Sequence, residues 1–294
     1  MPKKFGWFPT RDLAALSEFC KLWNKGRFWE IFWEYDHLTP SILRERNARG
    51  WFYWEDGQSE GVALGRERLG WWHFEELWGP CEGSSELPVR VHRDDAIRSR
   101  LFRKLLRKLD TRTLIRAPVD NPFANIIAHC IGAKWCGGFL LSTRSLDQKL
   151  TVTVPTECEL RRYKDGDEQR MSRIHIEAFH YPHPPKEYKN WATRPNCRAT
   201  FATRQGDVIG FLIAEKRSYK RYGDFIIAVD PKFHGVGVGS ALLQNGLNDL
   251  IDMGCTTAVA DFLLQNARVQ SLNRKHGFNI VRAYNYYRVG PGLV

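Results

Sequence analysis

His234-Gly-Val-Gly-Val-Gly239-Ser-Ala-Leu-Leu243 follows a strand-like run, Phe225-Ile-Ile-Ala-Val229, and opens a stretch with helical apolar spacing that ends near Gly254. Three glycines at alternate positions, Gly235, Gly237 and Gly239, let the backbone come close to a ligand. They also leave amide N–H groups turned toward it at a helix N-terminus, which carries roughly half a positive charge and suits a phosphate or pyrophosphate. A plainer reading, packing glycines at a helix entry, needs no ligand. A dinucleotide site of the Gly-x-Gly-x-x-Gly kind would stand after the first strand, whereas here Ser240 follows Gly239 and the cluster lies late in the chain. No Gly-Lys-Ser/Thr follows, so a nucleoside-triphosphate loop is excluded.

The surrounding sequence alternates in type. Leu160-Arg-Arg-Tyr163 reads as a short strand, Asp165-Gly-Asp167 as a helix cap, and 167–179 as a helix carrying Met171, Ile174, Ile176 and Phe179. Strands are expected at 199–204 and 207–215, turned by Gln205-Gly206-Asp207. Asp230-Pro231 leads from the strand at 225–229 into the glycines, and a strand, a short helix and two strands follow the long helix. This is an α/β pattern (α+β, with a mixed sheet).

The chain also repeats itself. A shift of 145 residues puts Asn121 on Asn266, Gly132 on Gly277, Ala96 on Ala241 and Leu105 on Leu250, and 89–133 aligns with 234–278 without a gap. Two domains are expected, 1–150 and 151–294, joined around 142–156. In the same register Gly235, Gly237 and Gly239 fall on Arg90, His92 and Asp94. Those side chains would block close backbone approach, and Asp94 would repel a pyrophosphate. The first copy is expected to keep the fold without the coenzyme site, leaving one site per chain.

Composition narrows the classes. The 294 residues carry a net charge of +11, spread as +5 over 1–150 and +6 over 151–294, so the basicity is not a tail. No apolar run approaches the roughly 18–20 residues of a membrane helix, and Pro9 and Arg11 interrupt any secretory core near Met1. Seven scattered cysteines without a Cys-x-x-Cys pair suggest neither a disulfide framework nor a metal site, and a reducing cytoplasm fits them. Ten of the eleven tryptophans lie in 1–150. They read either as sheet core or, with the basic helix at 94–109 (Arg98, Arg100, Arg103, Lys104, Arg107, Lys108), as a platform for single-stranded nucleic acid. The core reading, with the charges on a solvated helix face, is favoured. Lys216-Arg-Ser-Tyr-Lys-Arg221 reads as a solvated hairpin tip.

Val229-Asp-Pro-Lys-Phe-His234-Gly-Val-Gly-Val-Gly239-Ser-Ala-Leu-Leu resembles the coenzyme A signature of the GNAT acetyltransferase superfamily, Arg/Gln-x-x-Gly-x-Gly/Ala, with His234 at its first position. Asn266-Ala-Arg-Val-Gln-Ser-Leu-Asn273-Arg-Lys-His-Gly277-Phe278 is similar to that family's second motif, Asn-x-x-Ala-x-x-Leu-Tyr-x-x-x-Gly-Phe. The resemblance spans about 157–290 and implies two tandem GNAT-like domains, each a mixed central sheet flanked by helices, the first degenerate.

It further implies an N-acetyltransferase that moves an acetyl group from acetyl-CoA, a co-substrate, to an amine by direct attack, with no metal. Ile227, Ala228, Val229, His234, Gly235, Val236, Gly237, Val238, Gly239, Ser240 and Asn266 would hold the coenzyme. Asp224 lies within one residue of the position where relatives often hold a catalytic Glu, and it also reads as an ordinary turn acid. His180, in His180-Tyr-Pro-His183, falls where the family builds its acceptor pocket.

Asn273 stands where many members carry a Tyr proposed to protonate the leaving thiolate. Releasing a thiol of pKa about 8.5 as thiolate at pH 7 costs about 2 kcal/mol, whereas deprotonating an amine of pKa about 10.4 costs about 4.6 kcal/mol. Activity therefore survives a missing acid more easily than a missing base. The acceptor implied is a small-molecule or protein amine. A nucleic-acid-linked acceptor, or a non-catalytic coenzyme-binding role, is the alternative.

Overall fold

The computed structural model describes residues 6–24, 40–45, 47–55, 58–68, 71–78, 93–109, 112–179, 184–217 and 221–290. The chain forms two compact units, each discontinuous in sequence. Among the described residues no helix is long and apolar enough to cross a membrane.

Unit 1 comprises 1–140, 263–265 and 281–294. Its strands are β1 (Gly6–Thr10), β2 (Arg49–Glu55), β3 (Gln58–Arg68), β4 (Trp71–Trp78), β5 (Arg112–Pro118), the start of β6 (Lys134–Ser145) and most of β12 (Asn279–Val289). They run in the order β1-β2-β3-β4-β5-β12-β6. The β4–β5 pair is parallel and β5–β12 antiparallel, so the sheet is mixed. Helices α1 (Leu13–Asn24), α2 (Pro40–Glu45), α3 (Arg93–Leu109) and α4 (Pro122–Cys130) accompany it.

Three tryptophans enter this core, whereas Trp54 is half-buried and Trp135 is 55% exposed. Trp7, Trp51 and Trp72 are buried with Phe74, Phe102 and Phe123, and Trp7 meets the Phe102 ring edge-on at 5.4 Å. The basic helix departs from a single solvated face. Arg98 is buried and pairs with buried Asp95 at 3.2 Å, while Arg103 donates to the Cys130 carbonyl at 3.0 Å. Arg100, Lys104 and Arg107 stay exposed. A guanidinium on a long stem can turn inward wherever an acceptor waits, which composition alone does not show.

Unit 2 comprises 141–262 and 266–280. Its strands are the end of β6, β7 (Cys158–Arg162), β8 (Cys197–Arg204), β9 (Asp207–Lys216), β10 (Tyr222–Val229) and β11 (Thr257–Leu263), ordered β6-β11-β10-β9-β8-β7. Its helices are α5 (Asp167–Phe179), α6 (Pro185–Ala192), α7 (Val238–Asp252) and α8 (Ala267–Lys275). Both faces of β9 are covered, so it reads as a continuous apolar run. Leu212 and Ala214 enter a core under α7 with Leu242, Leu243, Leu247 and Leu250. Phe211 and Ile213 enter the opposite core with Met171, Ile174 and Tyr188 of α5 and α6. Each fully buried leucine of α7 contributes roughly 1.5–3 kcal/mol.

The repeat is visible in the elements. Helices α3 and α7, strands β5 and β11, helices α4 and α8, and strands β6 and β12 begin at 93 and 238, 112 and 257, 122 and 267, and 134 and 279. Asn121 and Asn266 play the same part, each capping its helix by accepting from Ala124 N and Val269 N at 3.2 Å. Each unit also takes a strand from elsewhere in the chain. Unit 1 takes residues of β12, paired as Tyr284↔Pro118 through Val289↔Thr113. Unit 2 takes the end of β6, where Ser142 Oγ donates to the Ala260 carbonyl at 3.2 Å.

Candidate active site

The site begins where a ladder stops. β10 and β11 run parallel but pair only at Tyr222↔Thr257, Gly223↔Ala258 and Asp224↔Val259, although β10 continues to Val229. Along its other edge β10 stays paired with β9 as far as Val229↔Gly210. Two hydrogen bonds, Arg217 N to Tyr222 O at 3.1 Å and Asp230 N to Ile209 O at 2.9 Å, fix the phase of that ladder. Even-numbered residues of β10 bond β9. The amides of Phe225, Ile227 and Val229 therefore face the opened edge, and that of Ala228 is committed to β9. Phe225, Ile226 and Ile227 are only half-buried despite being apolar. The parted strands thus offer an apolar throat with backbone donors along one wall.

The glycine loop closes the top of this wall. Asp230, buried, accepts from Lys232 N at 3.0 Å and from Arg170 at 3.3 Å, holding a 3-10 turn at Pro231–Phe233. His234 fixes the next step: Nε2 lies 2.9 Å from the Val229 carbonyl and Nδ1 lies 2.7 Å from the Arg268 guanidinium. A carbonyl only accepts and a guanidinium only donates, so the proton sits on Nε2. Gly235 and Gly237 follow at φ +82° and +98°, a region L-residues rarely adopt. The first bond of α7 is Ala241 N to Gly237 O, so the amides of Val238, Gly239 and Ser240 precede it with no carbonyl inside the helix. Loop residues 234–237 are exposed, Val236 at 57%. A Cβ at Gly239 would touch Leu272 and Val229 at an ordinary 3.8 Å, so the fold itself does not demand glycine there.

On the face of β10 toward α5 and α6 lies Asp224, in phase with Ile226 and Ala228. Its carboxylate accepts from Arg217 Nε at 3.0 Å and pairs with Nη2 of the same residue. Arg217 also meets Glu215 at 3.3 Å, and Arg194 lies 3.9 Å from Glu215. Burial pushes the Asp224 carboxyl up to about 6; Arg217 opposes that shift, and Glu215 and Asp261 add to it. Asp224 is therefore a strand residue in a charged network. Of the expected hairpin tip, residues 218–220 lie outside the described residues, and Lys216 and Arg221 beside them make hydrogen bonds. Lys216 Nζ donates to the Met253 carbonyl at 2.7 Å, and the Arg221 carbonyl accepts from Thr256 and Thr257.

Helix α8 covers the throat from the other side. Leu272 joins the core that contains Ile227 and Val229, and the Phe278 ring stands 5.9 Å from that of Phe225. Asn273 is 3% exposed, and its Nδ2 has no hydrogen-bond partner among the described residues. His276, also buried, places Nε2 2.7 Å from Ser240 Oγ, and its carbonyl accepts from Arg144 at 2.5 Å. Burial, with Lys275 and Arg144 nearby, lowers the His276 pKa. Asn266 lies at the N-terminus of α8 as its cap. His180 and His183 fall outside the described residues. No cluster of metal-ligating side chains occurs among the described residues.

Nothing in the sequence singles out Arg217, Glu215, Asp261 or His276. Charged and titratable residues are common along the chain, and only the fold shows that His276 is buried and that Arg217 and Glu215 meet beside Asp224.

Residues 168–278 match the model of the acetyltransferase (GNAT) family. Over 254 residues the chain is 26% identical to a mycothiol acetyltransferase of Saccharomonospora viridis, covering 79% of this chain and 82% of that one. It is 31% identical over 93 residues to N-alpha-acetyltransferase 30 of Dictyostelium discoideum, a match that covers 30% of this chain and spans half the length of that protein. Its fold is that of a GCN5-related N-acetyltransferase from Sphaerobacter thermophilus (TM-score 0.68, 15% identity, 96% and 95% of the two chains). It is also that of a tandem GNAT protein from the clavulanic acid biosynthesis pathway (TM-score 0.66, 15% identity, 98% and 99%). The domain match and the relatives named acetyltransferases support an acyltransferase. Residues 168–278 are thus the part of the chain that matches the GNAT family.

Proposed function

We propose that unit 2 transfers an acetyl group from acetyl-CoA to the amine of a small molecule, and that unit 1 carries no coenzyme site. The observation that supports this most is the β10–β11 ladder ending at Asp224↔Val259 directly beneath the glycine loop. Similarity to mycothiol acetyltransferases over three-quarters or more of the chain favours a small acceptor over a protein N-terminus. The free cysteines at 130, 136, 158, 197 and 255 fit a reducing cytoplasm.

Acetyl-CoA fits the residues present: pyrophosphate on the amides of Val238, Gly239 and Ser240, pantetheine along β10, and the thioester at Ile227 and Val229. The co-substrate supplies an acetyl group on a sulfur leaving group. Ile227 and Val229 amides polarise its carbonyl oxygen and hold the oxyanion that forms on attack. Asp224, ionised above about pH 6, takes a proton from the incoming ammonium, directly or through water. The neutral amine forms the C–N bond, the C–S bond breaks with its electron pair on sulfur, and the second amine proton passes to solvent. His180 is proposed as an acceptor contact.

Purified protein incubated with acetyl-CoA and a panel of small amines should release thiol in step with amide formation. Thiol release with none of them, from protein that binds acetyl-CoA, would leave only a coenzyme-binding role.

A further inference from the structure

Helix α8 ends against a cavity of about 460 Å³ lined by residues of unit 2 alone, among them Arg144, Leu150, Lys275, His276 and Asn279. Among the described residues no carboxylate lines it. Arg144 is half-buried and donates to the His276 carbonyl at 2.5 Å, and neither it nor Lys275 forms an ion pair among the described residues. A guanidinium, an ammonium and an imidazole thus share one space without a counter-charge in its wall. They act on one another: burial first, then Lys275 and Arg144, lowers the His276 pKa.

The repeat separates what a helix end needs from what has been added. Unit 1 also meets this end with a guanidinium, since Arg103 donates to the Cys130 carbonyl of α4 at 3.0 Å. One cation is therefore a matter of the fold. In the 145-residue register, however, Lys275 stands on Cys130, His276 on Ile131 and Arg144 on Val289. Ile131 and Val289 are each 1% exposed and belong to the apolar core of unit 1. Where unit 1 is packed shut with hydrocarbon, unit 2 has a cavity and two more basic groups than a cap requires.

The coenzyme's own phosphates gather elsewhere. The glycine loop meets α8 at its first turn, where Arg268 lies 2.7 Å from His234. Lys275 is seven residues further on, about 10 Å along the helix. On its far side the cavity reaches Leu150, whose N–H donates to Asn248 Oδ1 at 2.8 Å, in the second half of α7. One contact joins the two places: His276 Nε2 lies 2.7 Å from Oγ of Ser240, in the first turn of α7.

We propose that this cavity binds the phosphate group of a small ligand other than the coenzyme, and that its occupation strengthens coenzyme binding through His276 and Ser240. The site stands without the acetyl-transfer reading; the coupling rests on it. Phosphate offers acceptors to the guanidinium fork of Arg144 and to the Lys275 ammonium. An anion there favours the imidazolium, whose Nε2–H donates to Ser240 Oγ and leaves the hydroxyl proton free for a coenzyme phosphate. By linkage the coenzyme favours the anion equally.

The test titrates inorganic phosphate into the full chain by calorimetry at constant ionic strength. In Gly239→Asp, whose glycine loop is blocked, one phosphate should still bind per chain. Adding Lys275→Gln or Arg144→Gln should weaken it at least fivefold, the exposed Lys275 without any change in melting temperature. The His276 ring, followed by nuclear magnetic resonance, should titrate at higher pH when phosphate is present. Acetyl-CoA should bind wild type and Lys275→Gln equally in phosphate-free buffer, and wild type about threefold more tightly with phosphate; competition at the glycine loop is common to both. Phosphate that ignores both substitutions, or equal acetyl-CoA affinities in its presence, would overturn the proposal. So would Lys275→Gln weakening coenzyme A but not 3′-dephospho-coenzyme A in phosphate-free buffer, which would give the cavity to the coenzyme's own phosphate. Failure of wild type to bind acetyl-CoA at all would instead overturn the acetyl-transfer reading, with the phosphate titration still deciding the site.

Discussion

Helices α4 and α8 are one element built twice, and their differences separate frame from function. Both follow a parallel strand, both start on a capping Asn, and both are followed eleven residues after the cap by a glycine at positive φ, Gly132 or Gly277. The Asn-x(10)-Gly match is therefore carried by the fold. What sets the two apart is what each cap and inner face does next. In unit 1 the β4–β5 ladder also ends early, at Phe74↔Ile115, but Asn121 Nδ2 donates to the Leu77 carbonyl at 2.9 Å, tying α4 to β4 beyond that point. Trp7, Phe102 and Phe123 fill the space behind. In unit 2 the corresponding strands part over half-buried side chains, and the helix behind them keeps a buried amide with nothing to bind. One unit ties its helix to the strand beyond the end of the ladder; the other shows half-buried apolar side chains and a buried amide without a partner among the described residues.

Four substitutions break or sharpen that contrast. The largest effect is on stability: Phe102→Ala removes the centre of the aromatic core and should cost about 3–5 kcal/mol in denaturant unfolding. Acetyl-CoA affinity of the folded protein should stay within about twofold. A parallel loss of affinity would show that unit 1 helps to form the coenzyme site. Gly239→Asp puts the residue of the first copy, Asp94, into the second. Its Cβ has ordinary contacts and its charge suits a helix N-terminus, so the melting temperature should hold. Repulsion of the pyrophosphate should weaken acetyl-CoA about a hundredfold or more; an unchanged affinity would place the phosphates elsewhere.

Asp224→Asn should lower kcat by about 10²-fold or more while coenzyme binding persists, the range expected for losing a general base. Wild-type activity should rise as pH climbs through about 6, because the carboxyl must ionise and its pKa is raised. The smallest change is expected from Arg217→Gln. Arg217 favours the ionised carboxylate, so its removal should move the acid limb of the pH–rate profile to higher pH, read from kcat/KM against pH. A limb that stays in place would show that Asp224 is not the titrating base.

Much of this is legible in sequence because the informative residues are local. A glycine loop between strand and helix announces amides and positive φ by spacing alone, and a capping Asn marks a helix start wherever it stands. The 145-residue register carries over intact because loops between the repeated elements kept their lengths. Longer-range features escape. Nothing in Lys216-Arg-Ser-Tyr-Lys-Arg221 says that Arg217 folds back onto Asp224, since that contact is made across a hairpin. The exchange of β12 and the end of β6 between the units is set by which edges pair, and their residue patterns do not encode it. Asn273 can be noticed as a departure from a motif, but its missing partner appears only once the helix is packed.

The claim on which the rest depends is that two copies of one fold make one coenzyme site. Calorimetric titration of the full chain with acetyl-CoA measures it directly. One molecule should bind per chain, with that binding lost in Gly239→Asp. Two molecules per chain, or one that survives Gly239→Asp, would contradict it.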